Sequence, residues 1–210
     1  MIANQDQELE VKFYLADLQR LRQRLTAAGA RLIQPRVHEI NLRFDTPDGA
    51  LSRTSQVLRL RRDNNITMTY KDPGELTRGV RSRREIELTV DDFSKARSFL
   101  EALGFQVSLT YEKYRTTFIL DLNHVTLDEM PFGYFTEIEG PTAKGIRIAS
   151  LSLGLNWDAR ITDSYTRLFE NLRSRMNLRF RDLTFENFTD LVVTPELLEV
   201  TPGDIGQFTS

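Results

Sequence analysis

Five short stretches put ionisable side chains at every second position: Glu8-x-Glu10-x-Lys12, Arg59-x-Arg61, Arg83-x-Glu85-x-Glu87, Lys113-x-Arg115 and Glu137-x-Glu139. Lys71 ends a further run, Thr67-x-Thr69-x-Lys71, and Asp128 follows Leu127 in another. Together they hold seven bases (Lys12, Arg59, Arg61, Lys71, Arg83, Lys113, Arg115) and seven acids (Glu8, Glu10, Glu85, Glu87, Asp128, Glu137, Glu139). Arginine forks match phosphate oxygens, and clustered carboxylates take Mg²⁺ or Mn²⁺ through oxygen. The set therefore suits an anion with several phosphates that arrives with divalent cations. Enclosing it is costly unless the charges compensate, and seven against seven they balance.

Alternation with period two is the signature of a strand with two unlike faces. Each stretch has an apolar partner face, as in Leu9, Val11 and Phe13 between Glu8, Glu10 and Lys12, or Leu58 and Leu60 around Arg59. On any one strand such charges read as the wet side of an antiparallel sheet. Repeated over every strand, with Glu, Arg and Lys in place of the usual Ser, Thr and Asn, they imply a sheet that curls until these faces converge on one axis. The apolar faces then point outward, beneath helices.

Two helices are written alike. "LADLQRLRQRLTAAGA" has Leu15, Leu18, Leu21 and Leu25 in register, Asp17 at its start and Gly29 at its end; "DDFSKARSFLEALGF" has acidic residues at its start and Gly104 at its stop. "GPTAKGIRIASLSLGL" and "ITDSYTRLFENLRSRMNL" predict two more. "DPGELTRGV" reads as a loop, and the segment through Asp45-Thr-Pro-Asp-Gly49 as a turn. The expected division is a domain over 1–178 and a C-terminal extension, 179–210, whose Phe180, Phe185, Phe188 and Leu191 dock it on the body.

The chain has 210 residues, 40% hydrophobic and 28% charged, with a formal net charge of −2. This argues against a general nucleic-acid or membrane-surface binder. Without cysteine and with only His38 and His124, any metal must be held by oxygen. The two histidines read as ordinary strand or turn residues, Trp157 and Tyr165 as packing aromatics, and "RLRQR" as a solvated helix face. No basic and apolar leader, no membrane-length apolar run and no P-loop sequence is present, so the expected location is the cytoplasm.

Glu8-x-Glu10-x-Lys12 followed in order by "LRLRR", "TYK", "RREIEL", "EKYR", "LDE" and "FTEIEG" resembles the CYTH proteins, or triphosphate tunnel metalloenzymes. These include class IV adenylate cyclases, thiamine triphosphatases and inorganic tripolyphosphatases. The resemblance runs from about Glu8 to Tyr165. It implies an α+β fold: an eight-stranded closed antiparallel β-barrel with a polar interior and helices packed outside. It makes Glu8, Glu10, Glu137 and Glu139 metal ligands, supported by Asp128 and Glu87. Arg59, Arg61, Lys71, Arg83, Lys113 and Arg115 would bind the triphosphate, and Lys12 would orient or deprotonate the attacking water.

The activity this implies is metal-dependent hydrolysis of a linear triphosphate: tripolyphosphate, thiamine triphosphate or a nucleoside triphosphate such as ATP. No residue set demands adenine. The segment "TDSYTRLF" nevertheless resembles the class IV cyclases, which would turn ATP into cyclic AMP and pyrophosphate. A third reading is a non-catalytic sensor of polyphosphate or nucleotide, against which Glu8, Glu10 and Lys12 all argue. A homodimer is compatible with each.

Overall fold

The alternating segments form nine antiparallel strands in a computed structural model that describes residues 7–77 and 80–205, apart from the side chains of Gln7, Glu8 and Thr77. In chain order they are β1 (Gln7–Leu15), β2 (Arg31–Asp45), β3 (Val57–Arg62), β4 (Ile66–Lys71), β5 (Glu75–Thr77), β6 (Val80–Val90), β7 (Gln106–Leu120), β8 (Asn123–Met130) and β9 (Gly133–Glu139). The α-helices are α1 (Leu18–Ala27), α2 (Ala50–Arg53), α3 (Phe93–Ala102), α4 (Ala143–Ser152) and α5 (Tyr165–Met176). None is long and apolar enough to cross a membrane.

The sheet closes into a ring. Its neighbours run β1, β9, β8, β7, β2, β3, β4, β6, and β6 returns to β1 through pairs such as Glu8↔Arg83 and Glu10↔Arg81. These are the eight strands expected of a closed barrel. The ninth, β5, arises within "DPGELTRGV", which the sequence presented as a loop. Its cause is the edge of β6: β4 ends opposite Glu85, and Glu75–Thr77 pairs with the next free stretch, Val80 to Ser82. An unpaired edge offers backbone donors and acceptors that a short extended run can satisfy.

The apolar faces point outward. Val11, Phe13, Leu15, Leu127 and Ile138 pack under Leu18, Leu21 and Leu25 of α1 and Ile146, Ala149 and Leu153 beyond them. Leu42, Phe44 and Leu60 meet Ala96 and Leu100 of α3. The helix starts follow the sequence: the Asp17 carboxylate accepts from Arg20 N at 3.0 Å, and Asp92 does the same for Lys95 N at 2.9 Å. Gly29, at φ 76°, makes the left-handed stop after α1 that side chains resist.

A third cluster closes one end of the ring. Phe132, Phe135 and Tyr165 join Leu168, Phe169 and Leu172 of α5 and Leu183, Phe188 and Leu198 of the C-terminal segment. Leu183 is hydrogen-bonded to β7 on both sides, donating to Thr110 O at 2.9 Å and accepting from Glu112 N at 3.0 Å. The segment Ile161–Thr166 crosses this mouth. Ile161 N donates to Lys12 O, Thr162 O accepts from Arg81, Asp163 O from Lys12, and the Thr166 hydroxyl from Arg43.

Candidate active site: a charged tunnel

Because the side-chain period of a strand is two, closing the ring turns one face of every strand inward. The result is a cavity of about 820 Å³. It is lined by Glu10 and Lys12 of β1, Arg59 and Arg61 of β3, Lys71 of β4, Arg83, Glu85 and Glu87 of β6, Lys113 and Arg115 of β7, and Glu137 and Glu139 of β9. The structure thus brings twelve of the fourteen sequence-predicted residues to one space. Asp128 sits behind the wall, fully buried, and the side chain of Glu8 lies outside the described residues.

Two ionic groups organise the wall. In the first, Arg115 grips Asp128 with two nitrogens, at 2.6 and 2.5 Å, and reaches Glu137 at 2.5 Å. Lys12 Nζ lies 3.1 Å from the other Glu137 oxygen and 4.3 Å from the centroid of the Tyr165 ring. The Tyr165 hydroxyl donates to Asp128 at 2.8 Å. Lys113 stands between Asp128, at 3.3 Å, and Glu39, at 3.5 Å. In the second group Lys71 pairs with Glu85 at 2.7 Å, while Arg59 approaches Glu85 at 3.9 Å and Glu87 at 3.5 Å. Arg83 reaches Glu10 at 3.5 Å and Arg61 reaches Asp63 at 3.2 Å.

The electrostatics follow from this contact between burial and opposite charge. Burial would raise the pKa of Glu137, but Lys12, Arg115 and Lys113 outweigh it and hold the carboxyl well below the usual range. Burial would likewise raise Glu39, yet Lys113, Arg115, Arg61 and Arg59 bring it down to about 2. The Tyr165 phenol is pushed up, by burial first and then by the charges of Asp128 and Glu137. Glu137 and Glu39 are therefore carboxylates, and Tyr165 keeps its proton, throughout the physiological range.

Several wall residues went unlisted in the sequence. Glu39, Asn41 and Arg43 alternate along β2 with Ile40, Leu42 and Phe44, the same pattern that revealed the other strands. Tyr111 continues the inward parity of Lys113 and Arg115. Tyr165, expected only to pack, also holds Asp128 and Lys12. Arg81, Arg167, Arg173 and Arg181 add further bases, so the described lining carries twelve Lys and Arg side chains against seven Asp and Glu. The expected balance becomes an excess of positive charge, in a chain whose net charge is −2. His38 lies outside, its ring tilted 32° against Tyr114 with centroids 4.8 Å apart.

Carboxylates suitable for a cation are present, though no three His, Cys, Asp or Glu side chains form a ready metal cluster among the described residues. Glu10 and Glu139 are direct cross-strand partners, both on the cavity wall. Like charges in that relation repel, and a hard cation between them relieves the repulsion. With oxygen donors alone in the tunnel, the donor set fits Mg²⁺ or Mn²⁺ and excludes a thiolate-type zinc site.

A family model for the CYTH domain matches residues 6–148. The chain belongs to the CYTH family. A Methanocaldococcus jannaschii protein described provisionally as an adenylate cyclase is 28% identical over 134 residues, 63% of this chain and 75% of its own. Among solved structures, a Vibrio parahaemolyticus protein under the same provisional description superposes with a TM-score of 0.70 at 20% identity, covering 79% of this chain and 98% of that one. The PH1819 protein of Pyrococcus horikoshii gives 0.66 at 26%, covering 78% and 98%. A Hippeastrum adenylyl cyclase homologue, described as having a dominant triphosphatase activity, gives 0.59 at 22%, covering 78% and 95%. CYTH enzymes act on triphosphates, as triphosphatases or cyclases, and depend on divalent metal ions. The structural likenesses establish the tunnel fold.

Proposed function

We propose that this chain is a cytoplasmic, divalent-metal-dependent phosphohydrolase acting on a linear triphosphate: tripolyphosphate, thiamine triphosphate or a nucleoside triphosphate. One observation carries the choice of hydrolysis over cyclisation. Bases crowd the tunnel, while its aromatic rings are already engaged. Tyr165 has Lys12 and Lys113 at 4.3 and 5.5 Å from its centroid, and Phe169 stacks on Phe180. Tyr111 is buried next to Arg59. Among the described residues no bare ring on the wall offers itself to a nucleobase.

In this reading Arg59, Arg61, Lys71, Arg83, Lys113 and Arg115 exchange their internal carboxylate partners for phosphate oxygens and stabilise charge as it shifts in the transition state. Glu10, Glu137 and Glu139, with Glu8, hold Mg²⁺ or Mn²⁺, which when bound neutralises phosphate charge and activates the nucleophile. Glu87 and Asp128 support from the bases they pair with. Lys12, fixed by Glu137, the Asp163 carbonyl and the Tyr165 ring, orients a water toward the terminal phosphorus. Attack breaks the anhydride bond, and orthophosphate leaves.

Incubation of tripolyphosphate, thiamine triphosphate and ATP with Mg²⁺ or Mn²⁺ tests this. Orthophosphate should appear, and Glu137→Gln and Arg59→Ala should abolish it while far-UV circular dichroism stays native. The name of the Methanocaldococcus relative favours the cyclase as the second reading, and cyclic AMP with pyrophosphate would establish it instead. Metal-dependent binding without any turnover would make the chain a sensor.

A further inference from the structure

The clamp does not use every base in the tunnel. Arg43 stands directly opposite Arg59 in the β2–β3 register and donates a hydrogen bond to the Thr166 hydroxyl at 3.0 Å. Opposed like charges on neighbouring strands repel. Among the described residues no carboxylate lies within ion-pair distance of Arg43. Arg173 of α5 and Arg181 of the C-terminal segment line the same cavity, and neither forms an ion pair among the described residues. Next to Arg43 on the inward face of β2, Asn41 is completely buried with neither amide atom hydrogen-bonded.

Arg43, Arg173 and Arg181 line the same cavity as the clamp, and Thr166 at the start of α5 holds Arg43. Burial lowers the proton affinity of the Arg43 guanidinium; Tyr111 and Glu170 act against this, and Arg59 and Arg83 add to it. An anion reverses that penalty. At about 820 Å³ the cavity is continuous from the clamp residues to Arg173 and Arg181. Arg173 and Arg181 lie outside residues 6–148, so they belong to this chain's own C-terminal part rather than to the span the family model matches.

We infer that Arg43, Arg173 and Arg181 form an additional phosphate subsite at the α5 mouth, continuous with the clamp, which holds the phosphate beyond the third of a linear polyphosphate. The inference rests on the proposed triphosphate reading and sharpens its substrate class to chains of four or more phosphates. Titration calorimetry and steady-state hydrolysis with tripolyphosphate and tetrapolyphosphate test it, in the parent and in Arg173→Gln/Arg181→Gln. One further charge-assisted contact is worth about tenfold in affinity, so the parent should bind the longer chain about tenfold more tightly. The double variant should lose that preference, its affinity for tetrapolyphosphate falling about tenfold further than its affinity for tripolyphosphate. Equal weakening for both lengths, or no weakening for either, overturns the subsite. Binding is read without turnover: arginine-dependent preference for tetrapolyphosphate with no orthophosphate release would refute the hydrolase and keep the subsite. Hydrolysis with no length preference would do the reverse.

Discussion

Replacing Glu39 by Gln separates what the buried acids of the tunnel do for the fold from what they do for the ligand. Glu39 is 2% exposed, 3.5 Å from Lys113, with a pKa of about 2 against 4.5 for the free group. A gap of about 2.5 at 1.36 kcal/mol each amounts to about 3 kcal/mol of folding stability at pH 7. Because the folded-state value is the lower one, this contribution is complete above pH ~4.5 and disappears as the pH falls toward 2. Glu39→Gln removes it at every pH. Lys113 keeps Asp128 at 3.3 Å, so the larger cost of stranding a buried ammonium is avoided. With a urea slope of about 3 kcal/mol per molar, the unfolding midpoint at pH 7 should fall by about 1 M. Between pH ~4.5 and ~2.5 the parent should lose stability faster than the variant. The variant's tunnel also gains one net positive charge, so tripolyphosphate should bind a few times more tightly to the less stable protein. An unchanged midpoint at pH 7 refutes the buried pairing. Weaker binding by a folded variant refutes the view of Glu39 as a counter-ion in the wall rather than a ligand.

Three further outcomes follow from the geometry. Tyr165→Phe deletes one of the donors to Asp128 and should cost about 1–2 kcal/mol, visible in thermal unfolding, while Arg115 and Lys113 keep the carboxylate paired. Glu139→Gln removes one carboxylate of the Glu10–Glu139 cross-strand pair, so the Mg²⁺ or Mn²⁺ concentration for half-maximal activity should rise about tenfold or more; a chelator should abolish turnover in the parent and either ion restore it. Leu183→Ala empties a fully buried position where the C-terminal segment joins β7, and a loss of about 3 kcal/mol should lower Tm by roughly 6–12 °C.

Period-two charge made most of the tunnel legible. A strand's two faces are fixed by its own covalent geometry, so Glu10 and Lys12 or Lys113 and Arg115 could be assigned to one side without knowing their neighbours. The β2 face, Glu39, Asn41 and Arg43, obeys the same rule and was equally readable, but its charges are single and of mixed type rather than repeated pairs. β5 was not readable, because Glu75–Thr77 becomes a strand only when the edge of β6 is there to pair with it. The same limit applies to the α5 mouth. Thr166 meets Arg43 across 123 residues and Tyr165 meets Asp128 across 37, contacts set by how the helix seats on the ring and not by any local spacing.

The sign of the tunnel was hidden for a related reason. Seven bases and seven acids share the inward faces of the strands, and a strand pattern alone gives each the same weight. Once the ring closes, Asp128 and Glu39 stand behind the wall, held by Lys113, and α5 with the segment after it brings Arg167, Arg173 and Arg181 to the cavity. A low-dielectric wall with twelve bases against seven acids focuses a net positive field toward its axis even when the whole chain carries −2. Anion capture here is thus a property of which charges the fold exposes to the cavity, and raising salt should weaken tripolyphosphate binding through that local excess although the overall charge repels the ligand.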